Sequence, residues 1–168
     1  MLIIVEGPDG SGKTTLVDHI CSGGPYKKIH AMHRDVPEQY LLWLSIMMEC
    51  SKSDEVYVMD RCFLSEWCYR STINDKIPYM TLLEMSELLN IPSVIYVFCE
   101  CESSYEMAQE RGEDYIKDKK QHDSLTECYK FIKNTMIRFC PECKCITYNF
   151  EKDDYIEFLF RLKRIMKA

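Results

Sequence analysis

Short apolar runs alternate along this chain with longer stretches in which apolar residues recur at helical spacing. The runs predict strands over 2–6, 27–31, 55–59, 93–99 and 144–149. The longer stretches predict helices over 13–22, 37–51, 62–73, 80–90, 103–111, 124–139 and 153–166. Strand alternating with helix reads as an α/β fold with a mainly parallel sheet. Gly23-Gly24-Pro25 marks a turn ahead of the second strand. Ser103-x-x-Glu106, Ser124-x-x-Glu127 and Thr81-x-x-Glu84 have the form of capping boxes at helix starts. In the last helix Tyr155, Phe158, Leu159, Leu162 and Met166 fall on one face. The polar, charged stretch 112–122 lies between two helices and reads as a mobile loop. There is no internal repeat and no low-complexity linker.

Length and composition narrow this picture. A chain of 168 residues is expected to form one domain, 1–168. At that size a fold buries roughly 70% of its unfolded surface. The net charge of −6 argues against a non-specific nucleic-acid binder and against an anionic-membrane protein. No apolar stretch reaches the length of a membrane span, and residues 1–6 are too short for a signal peptide. A cytoplasmic protein is expected, with its ten cysteines held mostly as reduced thiols.

The most specific chemistry lies at Gly7-Pro8-Asp9-Gly10-Ser11-Gly12-Lys13-Thr14, which fits G-x-x-x-x-G-K-[ST] at every fixed position. It follows the run Leu2-Ile3-Ile4-Val5 and opens the amphipathic stretch Thr14 to Cys21, the strand–loop–helix setting a phosphate-binding loop requires. Glycines let successive backbone N–H groups turn inward toward an anion, and the helix start adds partial positive charge. Gly7 and the run Asp9, Gly10, Ser11, Gly12, Lys13, Thr14 and Thr15 are therefore the candidate nucleotide-binding residues. Lys13 would reach the β- and γ-phosphates of ATP, and the Thr14 hydroxyl would sit on Mg²⁺.

A second signal is the strand Glu55-Val56-Tyr57-Val58-Met59 running into Asp60-Arg61. Strand ends of a parallel sheet face the ligand crevice. Asp60 there could hold Mg²⁺, and Arg61 could clamp a phosphate at two points. The run Asp60-Arg61-Cys62-Phe63-Leu64-Ser65-Glu66-Trp67-Cys68-Tyr69 resembles the thymidylate kinase pattern D-R-Y-x-x-S-x-x-A-Y at Asp60, Arg61, Ser65 and Tyr69. Glu6 to Thr14 also resembles that family's E-G-x-D-G-x-G-K-[ST]. Arg111-Gly112-Glu113-Asp114-Tyr115, followed by a helix holding Tyr129, resembles its lid region more weakly. The likeness covers 1–20 and 55–70 well, and 94–150 in outline.

The resemblance implies a three-layer P-loop fold with five parallel strands in the order 2-3-1-4-5. It implies an ATP-Mg²⁺ donor and transfer of the γ-phosphoryl group to a deoxynucleoside monophosphate. On that reading Asp9 contacts the acceptor, Arg61 binds its phosphate, and Lys13 and Thr14 hold the donor. Tyr69, Arg70 and Trp43 complete the candidate acceptor-binding set, and the reading admits a homodimer. The family carries a catalytic Arg in the phosphate loop or in the lid. Gly10 and Ser11 fill the loop here, so the charge must come from a lid over about 111–122, with Arg111, Lys117, Lys119 and Lys120 as candidates. Two departures stand out. Arg70 replaces the family's usual Gln, and the acceptor segment is cut to about 33–53, leaving His33-Arg34-Asp35 and a helix with Tyr40 and Trp43.

A monophosphate acceptor is already anionic and needs no general base, whereas a hydroxyl acceptor benefits from a nearby carboxylate such as Asp9, Asp35 or Glu38. The alternative is therefore a kinase of a deoxynucleoside, or of a hydroxymethylated pyrimidine within DNA. The acidic net charge disfavours the DNA version. A GTPase or ATPase switch is the weakest reading, because no N-K-x-D strand end is present. Cys140, Cys143 and Cys145 form the densest cysteine cluster and Cys99 with Cys101 the next, at opposite ends of the sheet. With His19 and Cys21 at the Cys140 end, a zinc site is conceivable, but thiols are the default expectation.

Overall fold

The structure is a computed structural model that describes residues 1–30, 38–74, 76–112 and 116–167. Its centre is β1 (Leu2–Glu6), whose first four side chains are apolar without interruption. Such a strand needs cover on both faces, and Leu2, Ile3, Ile4 and Val5 are all at 0% exposure. Alternation splits them: Leu2 and Ile4 join one apolar cluster, Ile3 and Val5 the other. The remaining strands are β2 (Tyr26–His30), β3 (Val56–Asp60), β4 (Val94–Glu100) and β5 (Lys144–Asn149). All pairings are parallel, in the order β2-β3-β1-β4-β5. This is the expected five-stranded order.

Helices cover the two faces. α1 (Lys13–Ser22) and α7 (Tyr155–Lys167) pack Leu16, Val17, Ile20, Phe158 and Leu162 against the Ile3–Val5 side. The apolar face predicted for the last helix is the face buried there. On the other side lie α2 (Gln39–Lys52), α3 (Phe63–Thr72), α4 (Leu82–Leu89) and α6 (Lys119–Phe131). The short α5 (Ser104–Glu110) follows β4. Among the described residues, no helix is long and apolar enough to cross a membrane.

Of the three expected capping boxes, one forms and two do not. Thr81 and Glu84 do form a reciprocal capping box on α4. Ser103 does not cap with its side chain; its hydroxyl goes to the Glu151 carboxylate instead. Ser124 lies within α6, where its hydroxyl donates to the Lys120 carbonyl at 3.0 Å. That helix starts at Lys119 because the Asp118 carboxylate accepts the Gln121 N–H at 2.8 Å, so the first turn of α6 takes the end of the predicted loop 112–122. Beyond Phe131 the helix widens to a π turn, Ile132–Met136, and then tightens to a 3₁₀ turn, Ile137–Phe139. The expected lid residues 113–115 and acceptor-segment residues 33–37 lie outside the described residues.

Candidate active site

β1 lies between β3 and β4, so the chain leaves the sheet in different directions on either side of it. Ligand crevices of open parallel sheets form at such a switch point, beyond the carboxyl ends of the strands. The Gly7–Thr14 loop emerges there from β1, and Asp60-Arg61 emerges beside it from β3, with Val5 and Asp60 paired in register.

The loop folds back on itself. The Ser11 hydroxyl donates to the Pro8 carbonyl at 2.7 Å, and the Lys13 ammonium donates to the same oxygen. Gly10 takes φ +74°, and a Cβ on it would lie 1.9 Å from the Ser104 carbonyl oxygen, so the loop sits directly against the start of α5. Gly12 takes φ +80° as the first residue before α1. Lys13 is 5% exposed. Burial, followed by the neighbouring Arg61 guanidinium, lowers its pKa to about 8. Thr15 is exposed in the first turn of α1.

Thr14 and Asp60 meet beside the loop: the Thr14 hydroxyl donates to Asp60 Oδ2 at 2.7 Å. The other oxygen, Asp60 Oδ1, is buried without a hydrogen-bond partner among the described residues. A buried, unpaired carboxylate oxygen beside a hydroxyl is a donor set that suits a hard divalent cation.

Asp9 is the junction of the loop and α3. One of its oxygens accepts from the Arg61 guanidinium and the other from the Tyr69 hydroxyl. Arg61 Nη1 also donates to Ser65 Oγ at 3.3 Å, and its guanidinium lies 5.4 Å from the Tyr69 ring centroid. Arg61 stands at φ +71°, a left-handed conformation rare outside glycine. Its N–H still bonds the Val5 carbonyl at 2.9 Å.

Behind Asp9 lies a carboxylate whose role the sequence reading did not assign. Glu6 continues the alternation of Leu2 and Ile4, at 0% exposure, and points to the start of α3. It accepts from the Cys62 and Ser65 N–H groups at 2.7 and 3.3 Å and from the Ser65 hydroxyl at 2.6 Å. The α3 N-terminus is thus capped by a side chain from another strand, with the charge sign its dipole favours. Tyr129 of α6 sits 2.7 Å from Ser65 Oγ. One turn from the start of α6, the buried His122 ring approaches the Asp9 carbonyl at 3.4 Å and stands edge-on to Tyr105. A charged residue ending an all-apolar strand was the available signal for Glu6. Nothing local marked His122.

Two predicted acceptor residues stand elsewhere. Trp43 is 5% exposed within the apolar cluster, edge-on to Phe63, and is a core residue rather than an open stacking surface. Arg70 is also buried: it donates to the Ile77 carbonyl at 3.1 Å, pairs with Glu66, and covers the Tyr79 ring at 3.8 Å, which ties α3 to the chain leading into α4. Tyr40 donates to Glu87 of α4 at 2.5 Å. Among the candidate lid cations, Arg111 is exposed at the end of α5, Lys117 and Lys120 are exposed, and Lys119 pairs with Glu106 at 3.5 Å. The cysteines are free thiols, and no group of three or more ligating side chains among the described residues is arranged to hold a metal.

Comparison with known proteins bears on the fold and on part of the sequence. No known family's sequence profile matches the chain. A "Putative thymidylate kinase" of Acidianus bottle-shaped virus (isolate Italy/Pozzuoli) is 27% identical over 104 residues, spanning 58% of this chain and 67% of that one. Among solved structures, the YorR protein of Bacillus subtilis, in complex with phosphorylated GDP, superposes with a TM-score of 0.67 at 21% identity over 98% of both chains. Deoxyadenosine kinase from M. mycoides, with products dCMP and dCDP, gives 0.61 at 16% identity, again over 98% of both. Thymidylate kinase from Ehrlichia chaffeensis gives 0.57 at 14% identity over 97% of this chain and 98% of that one. The chain is thymidylate kinase-like in sequence and has the fold of the P-loop nucleotide and nucleoside kinases.

Proposed function

We propose that the protein transfers the γ-phosphoryl group of ATP to a deoxynucleoside monophosphate. The observation that supports this most directly is the meeting of Arg61 and Tyr69 on Asp9 of the phosphate loop. A guanidinium for an acceptor phosphate stands against the loop that would hold the donor, which is the proximity a transfer needs. In the reaction an anionic oxygen of the acceptor phosphate attacks the γ-phosphorus. The bond from that phosphorus to the β,γ-bridging oxygen breaks, and ADP departs. Lys13 and the loop N–H groups hold the donor phosphates, and Arg61 orients the acceptor. Thr14 and Asp60 would hold Mg²⁺, consistent with the unpaired Asp60 Oδ1. Bound there, the cation would offset charge on the transferring phosphates. Arg111 is the cation we assign to the transition state from the lid.

Among the described residues, the two carboxylates at the Arg61 end of the loop are already engaged, which supports a monophosphate over a hydroxyl acceptor; Asp35, another candidate base, lies outside the described residues. Both Asp9 oxygens accept hydrogen bonds, and Glu6 is committed to the start of α3. Neither offers the free base a hydroxyl requires. The fold likeness to a deoxyadenosine kinase keeps the deoxynucleoside reading as the second choice.

Transfer of labelled γ-phosphate, screened over deoxynucleosides, their monophosphates and DNA with natural or hydroxymethylated pyrimidines, decides the matter. Labelled diphosphates are expected, with transfer abolished in Lys13→Ala and acceptor use weakened more than ATP binding in Arg61→Ala. Label on nucleoside or DNA alone would replace the acceptor. Near-normal transfer by Lys13→Ala would remove the kinase reading, and equal loss of both substrates in Arg61→Ala would take that residue out of the acceptor site.

A further inference from the structure

We infer that Tyr129 is a positioning residue, whose phenol reaches across from α6 to fix Ser65 and, through Ser65, the Arg61 guanidinium that orients the acceptor. The inference rests on the phosphotransferase reading and deepens it. A serine hydroxyl has one proton and two lone pairs. Ser65 gives its proton to Glu6 Oε2, at 2.6 Å. Its oxygen then faces two donors, Arg61 Nη1 at 3.3 Å and the Tyr129 hydroxyl at 2.7 Å. Because the Ser65 proton is committed to a carboxylate, Tyr129 is the donor in that pair; Glu6 Oε2, 3.5 Å from the Tyr129 hydroxyl, is its more distant alternative acceptor. Burial keeps the phenol protonated, well above its ordinary range. The proton and both lone pairs of the Ser65 hydroxyl are thereby used, and it cannot rotate without breaking a hydrogen bond.

The same face of α6 carries His122 toward the Asp9 carbonyl, seven residues before Tyr129 and thus two helical turns away. The Arg61 guanidinium is therefore held from two sides. Asp9 of the loop takes Nη2, and Ser65, itself held by α6, takes Nη1. Neither anchor lies on β3, the strand that leads into Arg61. An arginine with its backbone already in the left-handed region depends on such external anchors for its direction.

The test is steady-state kinetics of Tyr129→Phe, Ser65→Ala and the double variant, with ATP and with the acceptor found in the labelled-phosphate screen. Loss of one buried hydrogen bond predicts an acceptor KM raised about tenfold in Tyr129→Phe. The KM for ATP should stay at its wild-type value, and thermal stability should fall only slightly. The double variant should be no worse than Ser65→Ala, since both changes break one link. An unchanged acceptor KM overturns the inference. So does an equal rise in both KM values, which a merely structural role would produce, or strict additivity in the double variant. Wild-type protein that transfers phosphate to no acceptor fails at an earlier step, and removes the kinase reading together with this one.

Discussion

Arg61 has a positive φ because its N–H stays in the ladder of β1 while its side chain must reverse toward the phosphate loop. Left-handed non-glycine residues are strained and persist where surrounding contacts over-determine them; the Asp9, Ser65 and Gly7 oxygens supply those contacts. Gly10 is constrained in the opposite sense. Its φ of +74° and the Ser104 carbonyl oxygen, 1.9 Å from where a Cβ would lie, leave no room for a side chain. Gly10→Ala is expected to lower stability by about 3 kcal/mol and to push the loop off α5, weakening nucleotide binding. Urea unfolding together with nucleotide titration checks this; a variant with unchanged midpoint and unchanged affinity would contradict it. Gly10 fills a variable position of the G-x-x-x-x-G-K-[ST] pattern, and the Ser104 carbonyl that crowds it comes from a distant part of the chain, so the loop pattern alone does not reveal the requirement. The Arg61 conformation is not readable from sequence either, since Arg has no intrinsic preference for it.

At the scale of elements, helix starts show how far local pattern reaches. The Thr81–Glu84 box forms as written because both partners lie within one turn. Ser124 has the same pattern and does not cap, because Asp118 begins the helix earlier. The α3 start has no local cap at all: its Cys62 side chain makes none, and Glu6 of β1 does so from 56 residues away. Glu6→Ala is expected to leave the Cys62 and Ser65 N–H groups without a partner in a site closed to water, at a cost of about 3 kcal/mol. Glu6→Gln should lose less, because one acceptor oxygen remains. Chemical denaturation of the two variants gives the order; equal stability of Glu6→Ala and wild type would show that α3 needs no such cap. No pattern within α3 could have found this partner, because the pairing is set by sheet order.

For the whole molecule, the crevice gathers charge that the fold does not otherwise favour. Lys13 is buried with its pKa lowered to about 8, from an ordinary 10.5. Between those values the unfolded chain holds more proton on this side chain than the folded one, so its contribution makes stability rise with pH from about 8 to 10.5. A phosphate beside the ammonium favours the charged form and raises the pKa again. Nucleotide binding between about pH 8 and 10 should therefore take up a proton, seen calorimetrically as a binding heat that varies with the ionisation heat of the buffer. The uptake should vanish in Lys13→Ala. A buffer-independent heat in the wild-type protein would sever the link between Lys13 and the phosphates.

The sequence by itself determined the phosphate loop, the parallel five-stranded α/β plan and the apolar face of the last helix. Each of these is written in local spacing: glycines at fixed offsets, uninterrupted runs for strands buried on both faces, and a helical period. Only the tertiary structure decided the partners. Asp9 and Arg61 are 52 residues apart, and Ser65 and Tyr129 are 64 apart. It also decided which aromatic and which arginine were core: Trp43 faces Phe63, and Arg70 faces Tyr79, although both looked available for an acceptor. The physical reason is the same in each case. A side chain's period along the chain fixes which face of its element it occupies, but the order of strands in the sheet fixes what that face meets.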